Sequence, residues 1–176
     1  MLEIILGIVV GISIILLICT IYNNRFQLAI IKIDKAEEDI DLCLDKKKEL
    51  LDRTRPIIQK ELKIEEFITE LDNDFTNMNN FEKHNTLKMA YNELFKTVDE
   101  NEKLMKSDSL LSVLNSLNDN EEDVIGAIKF YNDTVVEFNK LVVSFPSCVI
   151  AFFKRYKKKE FYNNEKREMF EILNEK

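Results

Sequence analysis

Residues Leu110–Phe145 read LLSVLNSLNDNEEDVIGAIKFYNDTVVEFNKLVVSF, and this stretch decides the fold. Leu110, Leu114, Leu117, Glu121, Val124, Ile128, Tyr131, Val135, Phe138, Val142 and Phe145 recur at steps of three and four and hold one phase throughout. That spacing puts them on one stripe of a helix with 3.6 residues per turn. Asn118-Asp119-Asn120 has the composition of a loop, because Asn and Asp compete for backbone hydrogen bonds. The stripe nevertheless crosses it without a shift, so the spacing predicts one continuous helix, stopped by Pro146. The chain has 176 residues with only three Gly and two Pro, too few turn-formers for a sandwich or barrel.

Upstream, the same period appears three more times. Leu87, Tyr91, Leu94, Val98 and Met105 predict a helix over about Phe81–Lys106, with Asn101 where an apolar residue is expected. Ser107-Asp108 can break it and cap its successor. Asn73 to Asn80 reads as a loop. Ile57, Leu62, Ile64, Phe67, Ile68 and Leu71 predict an amphipathic segment after Pro56, which should end or bend the preceding helix near Arg53–Arg55. That first helix carries Ile33, Ala36, Ile40, Cys43, Leu44, Leu50 and Leu51, with Lys47 on the stripe seven residues after Ile40. The expected class is all-α: an N-terminal transmembrane helix followed by an antiparallel bundle of three to four long, coiled-coil-like helices joined by short turns.

Ile4 to Asn24 contains no charged residue and is almost wholly Ile, Leu, Val and Gly up to Ile21. About 20 such residues at ~1.5 Å each cross a ~30 Å hydrocarbon layer. The start is Met-Leu-Glu rather than basic, and Leu16-Leu17-Ile18-Cys19 offers no small residue for cleavage, so an uncleaved single span over residues 4–24 is expected. Arg25, Lys32 and Lys35 follow it and only Glu3 precedes it, which places the bundle in the cytoplasm and a short N-terminal tail outside the cell membrane. The organisation expected is residues 1–24 as the anchor, 25–146 as the bundle and 147–176 as a basic, aromatic C-terminal segment. Residues 25–146 hold 17 basic and 26 acidic residues, whereas 147–176 hold 8 basic and 5 acidic. The acidic body repels phosphates, so nucleic acid is not an expected partner. Cys19, Cys43 and Cys148 do not form a disulfide framework in this setting.

Catalytic signals are absent. The sequence has no GxGxxG and no GxxxxGK[ST], and its one histidine, His84, allows no His pair, so no cofactor and no metal site is expected. His84, at a helix start beside Asn79, Asn80 and Glu82, reads as exposed. Glu121 stands in core phase, where a carboxylate is costly unless paired. Lys47 is its best partner and Asn101 a third member. The readings are a buried polar contact that fixes register, an exposed bundle end, or a functional acid. Tyr131-Asn132 and Phe138-Asn139 repeat seven residues apart. Asn132 and Asn139 therefore share a flank that either bonds to a neighbouring helix or meets a protein partner. Lys154, Arg155, Lys157, Lys158 and Lys159, interleaved with Phe152, Phe153 and Tyr156, read either as a solvated basic turn or as a contact for anionic lipid headgroups.

Three of these stretches resemble a known family. Tyr131-Asn132-Asp133-x-Val135-x-x-Phe138-Asn139, followed by Phe145-Pro146 and then Glu160-Phe161-Tyr162, is similar to the C-terminal signature of the LemA family. Ala36-x-x-x-Ile40-Asp41-x-x-Leu44-x-Lys46-Lys47-x-Glu49-Leu50 resembles its first-helix signature, after a span and Tyr22-Asn23. Lys46-Lys47 fall on the family's basic pair and Glu121 on its Glu before the last long helix. Glu37 replaces an aromatic residue, Asp52 stands where a Pro is usual, and Asp123 and Ile128 replace arginines. The resemblance implies one N-terminal anchor, an antiparallel helical bundle and no settled biochemical activity. The function expected is therefore a membrane-anchored scaffold or accessory protein working through protein–protein contacts with an unknown partner, and not an enzyme. The alternative is a module that binds or senses anionic lipid through its basic C-terminal segment.

Overall fold

The structure, a computed structural model, describes residues 1–162. Its elements are α1 (Leu2–Leu62), a 3-10 turn (Thr69–Asp72), α2 (Asn80–Asp99), a second 3-10 turn (Leu104–Lys106), α3 (Asp108–Val143) and α4 (Ser147–Lys154). The described residues are all-α, with no strand. Among the described residues two compact units form: residues 1–35 with residues 130–162, and residues 36–129. The part of residues 147–176 beyond 162 lies outside the described residues.

In the unit of residues 36–129, the α1 stripe is Ala36, Ile40, Leu44, Lys47, Leu51, Thr54 and Ile58, all fully buried. From Ile40 onward these positions alternate four- and three-residue steps, the seam of a coiled coil. Opposite lie Leu87, Ala90, Leu94 and Val98 of α2, and Leu110, Leu114, Leu117 and Val124 of α3. Burying each Leu or Ile contributes about 1.5–3 kcal/mol. Lys46 meets Asp123 at 3.5 Å, and Cys43 O accepts from Asn120 Nδ2 at 3.2 Å, which ties α3 to α1 in this unit. Asn80 donates to Glu37 O at 3.1 Å and Lys83 meets Asp41 at 2.6 Å, so position rises with position and α2 runs parallel to α1.

The reason lies in the connection, which is a long return rather than a short turn. Arg55 holds its far end, donating to Phe67 O at 3.1 Å and, through both terminal nitrogens, to Asp72 at 2.8 and 2.9 Å. Lys48 then sits over the Phe75 ring at 5.1 Å, and Asn79 delivers the chain to α2. Asn79 and Glu82 form a capping box, at 2.9 and 3.1 Å.

Several boundaries differ from the sequence reading. Pro56 lies inside α1 and does not end it. Thr54 and Ile58 are fully buried on either side of it, so side-chain packing carries the helix through the missing N–H. The amphipathic segment Ile57–Leu71 is not one helix. α1 ends at Leu62, and Lys63 (φ 55°) and Ile68 (φ 51°) take left-handed conformations that bury Phe67, Ile68 and Leu71 in a turn. α2 ends at Asp99, short of the expected Lys106. α3 runs unbroken through Asn118-Asp119-Asn120 for 36 residues.

In the other unit, the first part of α1 is an apolar helix with none of its span window buried, long and apolar enough to cross a membrane. Just beyond it Phe26, Ala29 and Ile33 pack against Val135 and Phe138 of α3 and Ala151 of α4. Phe26, Phe138 and Tyr156 form an aromatic trio with centroids 4.9–6.0 Å apart. α4, which the sequence reading left within a basic segment, turns 93° from α3.

Candidate functional site

Two places bring chemistry-bearing side chains together, one in each unit. In residues 36–129, Lys47 is fully buried on the α1 stripe, and its Nζ donates to Glu121 Oε2 of α3. The Glu121 side chain keeps 25% of its exposure. The ammonium also lies over the Tyr91 ring of α2, 4.7 Å from its centroid. Tyr91 in turn donates to Asn118 Oδ1 at 2.9 Å, and burial, with Glu121 nearby, pushes its hydroxyl pKa up. One residue from each helix therefore meets at one cation.

Glu121 is thus only half-buried, although the stripe puts it in core phase. The fully buried polar residue of this turn is its neighbour Asn120, whose Nδ2 reaches Cys43 O and whose Oδ1 has no hydrogen-bond partner among the described residues. Asn101 does not join the pair. It lies past the end of α2, where its Nδ2 donates to Thr97 O at 2.8 Å and closes the last turn. The expectation of an exposed His84 is also corrected. His84 is half-buried, and its pKa is held below the usual 6.5 by burial first and by Lys47 second, with Glu121 opposing. This follows from α2 lying parallel along α1, which brings the first turn of α2 toward Lys47. Among the described residues, no group of three or more His, Cys, Asp and Glu is placed to hold a metal ion.

In the other unit, Asn132 and Asn139 are buried, and this corrects their expected role as a partner surface. Asn139 donates to Lys159 O at 2.9 Å and accepts from Lys159 N at 2.8 Å. Asn132 Oδ1 accepts from Tyr162 N at 2.8 Å. Tyr131 donates to Glu160 O at 3.2 Å. The two asparagines act as paired clasps for the backbone of residues 159–162, which returns along α3. The seven-residue repeat thus encodes an internal ladder, and burial pushes the Tyr162 hydroxyl pKa up.

The basic residues divide. Lys154, Arg155 and Lys157 are exposed, Lys158 is exposed with an interaction of its own, and Lys159 is half-buried in the clasp. Tyr156 faces inward, accepting from Gln27 Nε2 at 3.1 Å. A shallow cleft of 290 Å³ beside Leu28 and Leu141 is rimmed by Arg25, Lys32, Lys140 and Glu137, with Lys32 and Glu137 paired at 3.3 Å.

No curated protein and no solved structure matches the chain. A family model, that of the LemA family, matches residues 36–172, from the first buried alanine of the α1 stripe to beyond the clasped segment. The match takes in the Lys47–Glu121 contact, both asparagine clasps and α4, and on this extent the chain belongs to the LemA family.

Proposed function

We propose that this protein is a single-span scaffold or accessory protein that holds an acidic helical body at the inner face of the cell membrane and acts through contacts with other proteins, without catalysis. The continuity of α1 carries this reading: one 61-residue helix contains both the apolar span and the buried stripe of the body, with no linker between them. An element built this way delivers a folded surface at the membrane. Arg25, Lys32 and Lys35 after the span, against Glu3 before it, support a cytoplasmic body.

Residues 36–129 carry 13 basic and 23 acidic residues, so the displayed surface suits a protein partner with a basic face rather than nucleic acid. The titratable groups of the α1–α2–α3 contact are spent on one another, which suits a structural role. Photo-crosslinkers at the exposed positions Leu42, Met89 and Ile125, used in native membranes, test the reading. A recurring adduct with one other protein is expected, weakened by Asp119→Asn and Glu122→Gln. Adducts with this chain alone from all three positions would sink it. A second reading, contact with anionic headgroups through Lys154–Lys159, is favoured by the position of that turn beside the anchor.

A further inference from the structure

α4 has two opposite faces. Ser147 and Ala151 are buried against the unit's core. On the other side Phe152 and Phe153 are 80% and 78% exposed, with Val149 one turn before them. Positions 149, 152 and 153 follow the i, i+3, i+4 pattern of a single apolar stripe. Phe145, in the turn just before the helix, is 84% exposed, and three phenylalanines open to water within nine residues are an apolar display that soluble surfaces avoid.

The height of this patch along α1 is fixed by its contacts. Ala151 shares a core with Phe26 and Ala29, and the Tyr156 ring lies 4.9 Å from that of Phe26. Phe26 is two residues, ~3 Å of helix, past Asn24, where the uncharged stretch ends. The headgroup layer beyond the hydrocarbon is about 5–8 Å thick on each side. α4 therefore sits at headgroup depth when residues 4–24 span the bilayer. Its direction agrees. α3 packs alongside α1 through Val135 and Phe138, and α4 turns 93° from α3, so it lies across the line along which α1 leaves the membrane. Lys154, Arg155 and Lys157 are exposed at its C-terminal end, and Arg25 stands at the same level of α1. Phenylalanines toward the acyl boundary with lysine and arginine beside them is the composition of a helix lying in an anionic interface.

We infer that α4, with the turn that leads into it, is an interfacial foot: Val149, Phe152 and Phe153 of the helix and Phe145 of the turn insert at the acyl–headgroup boundary, and Lys154, Arg155 and Lys157 engage anionic headgroups of the same leaflet. The inference rests on residues 4–24 being the membrane anchor, as in the proposed function. It commits to the bilayer as the occupant of this face, since α4 packs against α1 just past the end of the span and its flanking charge is opposite to that of anionic lipid.

The test uses the full chain in proteoliposomes, in a background with Cys19, Cys43 and Cys148 replaced by serine or alanine and helicity matched to the parent by circular dichroism. An environment-sensitive fluorophore is placed singly through Phe152→Cys, Ile12→Cys or Met89→Cys. Quenching by brominated acyl chains and by aqueous iodide is read in phosphatidylcholine alone and with a minority of phosphatidylglycerol. The expected result is lipid quenching and loss of iodide quenching at 152 relative to 89. Phosphatidylglycerol should strengthen both effects, and Lys154→Gln with Lys157→Gln should remove that increment while leaving the lipid quenching. Iodide access at 152 equal to that at 89, with 12 quenched by lipid, overturns the foot and leaves the anchor standing. Shielding from iodide without lipid quenching means that protein covers the face, and also overturns it. No lipid quenching at 12 overturns the anchor and the foot together, and no response to phosphatidylglycerol overturns the anionic contact.

Discussion

Removing either partner of the Lys47–Glu121 contact should give unequal costs, because the two side chains are unequally buried. Lys47 is fully buried, and Glu121 is its only carboxylate partner among the described residues. Glu121→Ala leaves an ammonium in the core with only the Tyr91 ring at 4.7 Å for company. Stranding one charge of a buried pair costs about 3–5 kcal/mol, and water admitted at the exposed edge of Glu121 brings this toward ~2–3 kcal/mol. Lys47→Met keeps the volume of the stem and removes the buried charge. It forfeits a cation–π contact of about 0.5–2 kcal/mol, while Glu121 hydrates freely. Its net cost should stay within about 1 kcal/mol. For a chain of this size ~1 kcal/mol moves the melting temperature by about 2–4 °C, so Glu121→Ala should lower it by roughly 4–12 °C and Lys47→Met by no more than ~4 °C. Thermal unfolding of the full chain in detergent micelles, followed by far-ultraviolet circular dichroism, reads both. A Lys47→Met loss equal to or larger than that of Glu121→Ala would refute the burial argument.

Three further outcomes are expected. His84 has its pKa depressed below 6.5, so below that pH the unfolded chain binds a proton that the folded chain resists. Stability should therefore fall as pH drops through 6.5 toward the folded value, and His84→Gln should flatten the dependence in urea titrations between neutral pH and mild acid. Pro56 is exposed inside α1, and Pro56→Ala restores a backbone donor there; a gain of about 1–3 kcal/mol is expected in the same titrations, and a loss would mean that the fixed backbone angle of the proline is needed at this position. Asn139→Ala removes two hydrogen bonds to the Lys159 backbone, about 1–3 kcal/mol locally, so trypsin should cut at Lys157–Lys159 faster than in the parent; unchanged rates would mean that the clasp does not hold the segment.

The parts legible in the sequence are those where one period runs long. α3 could be read through Asn118-Asp119-Asn120 because eleven stripe positions outweigh three poor helix formers, and the span could be read from its missing charge. Periodicity marks a face but not its solvent boundary, so it points to Glu121 and misses its buried neighbour Asn120. Pro56 is expected to end or bend α1 and does not end it, because local propensity carries no account of the packing at Thr54 and Ile58. His84 and the parallel course of α2 depend on where the connection after α1 goes. Arg55 decides that from 17 residues away in sequence, a distance no local pattern spans. The capping box at Asn79 and Glu82 was a readable signal for the start of α2. The asparagine clasps bind backbone, which leaves no trace in the sequence of the clasped segment.

The membrane-proximal unit draws on chain positions far apart in synthesis. Among the described residues, Phe26, Ala29 and Ile33 are covered by Val135, Phe138 and Ala151, with Tyr156 and other later residues packed around them. About 100 residues separate the two sets, which translation at ~5–20 residues per second supplies over roughly 5–20 s. During that time the apolar base of α1 lacks its cover, and under the proposed anchoring it stands beside the membrane. Phe26 and its neighbours then have the lipid interface, or an assembly factor, as their first partner. Assembly of this unit is therefore a late event, and a ribosome stalled before α4 would leave an anchored chain whose base is open.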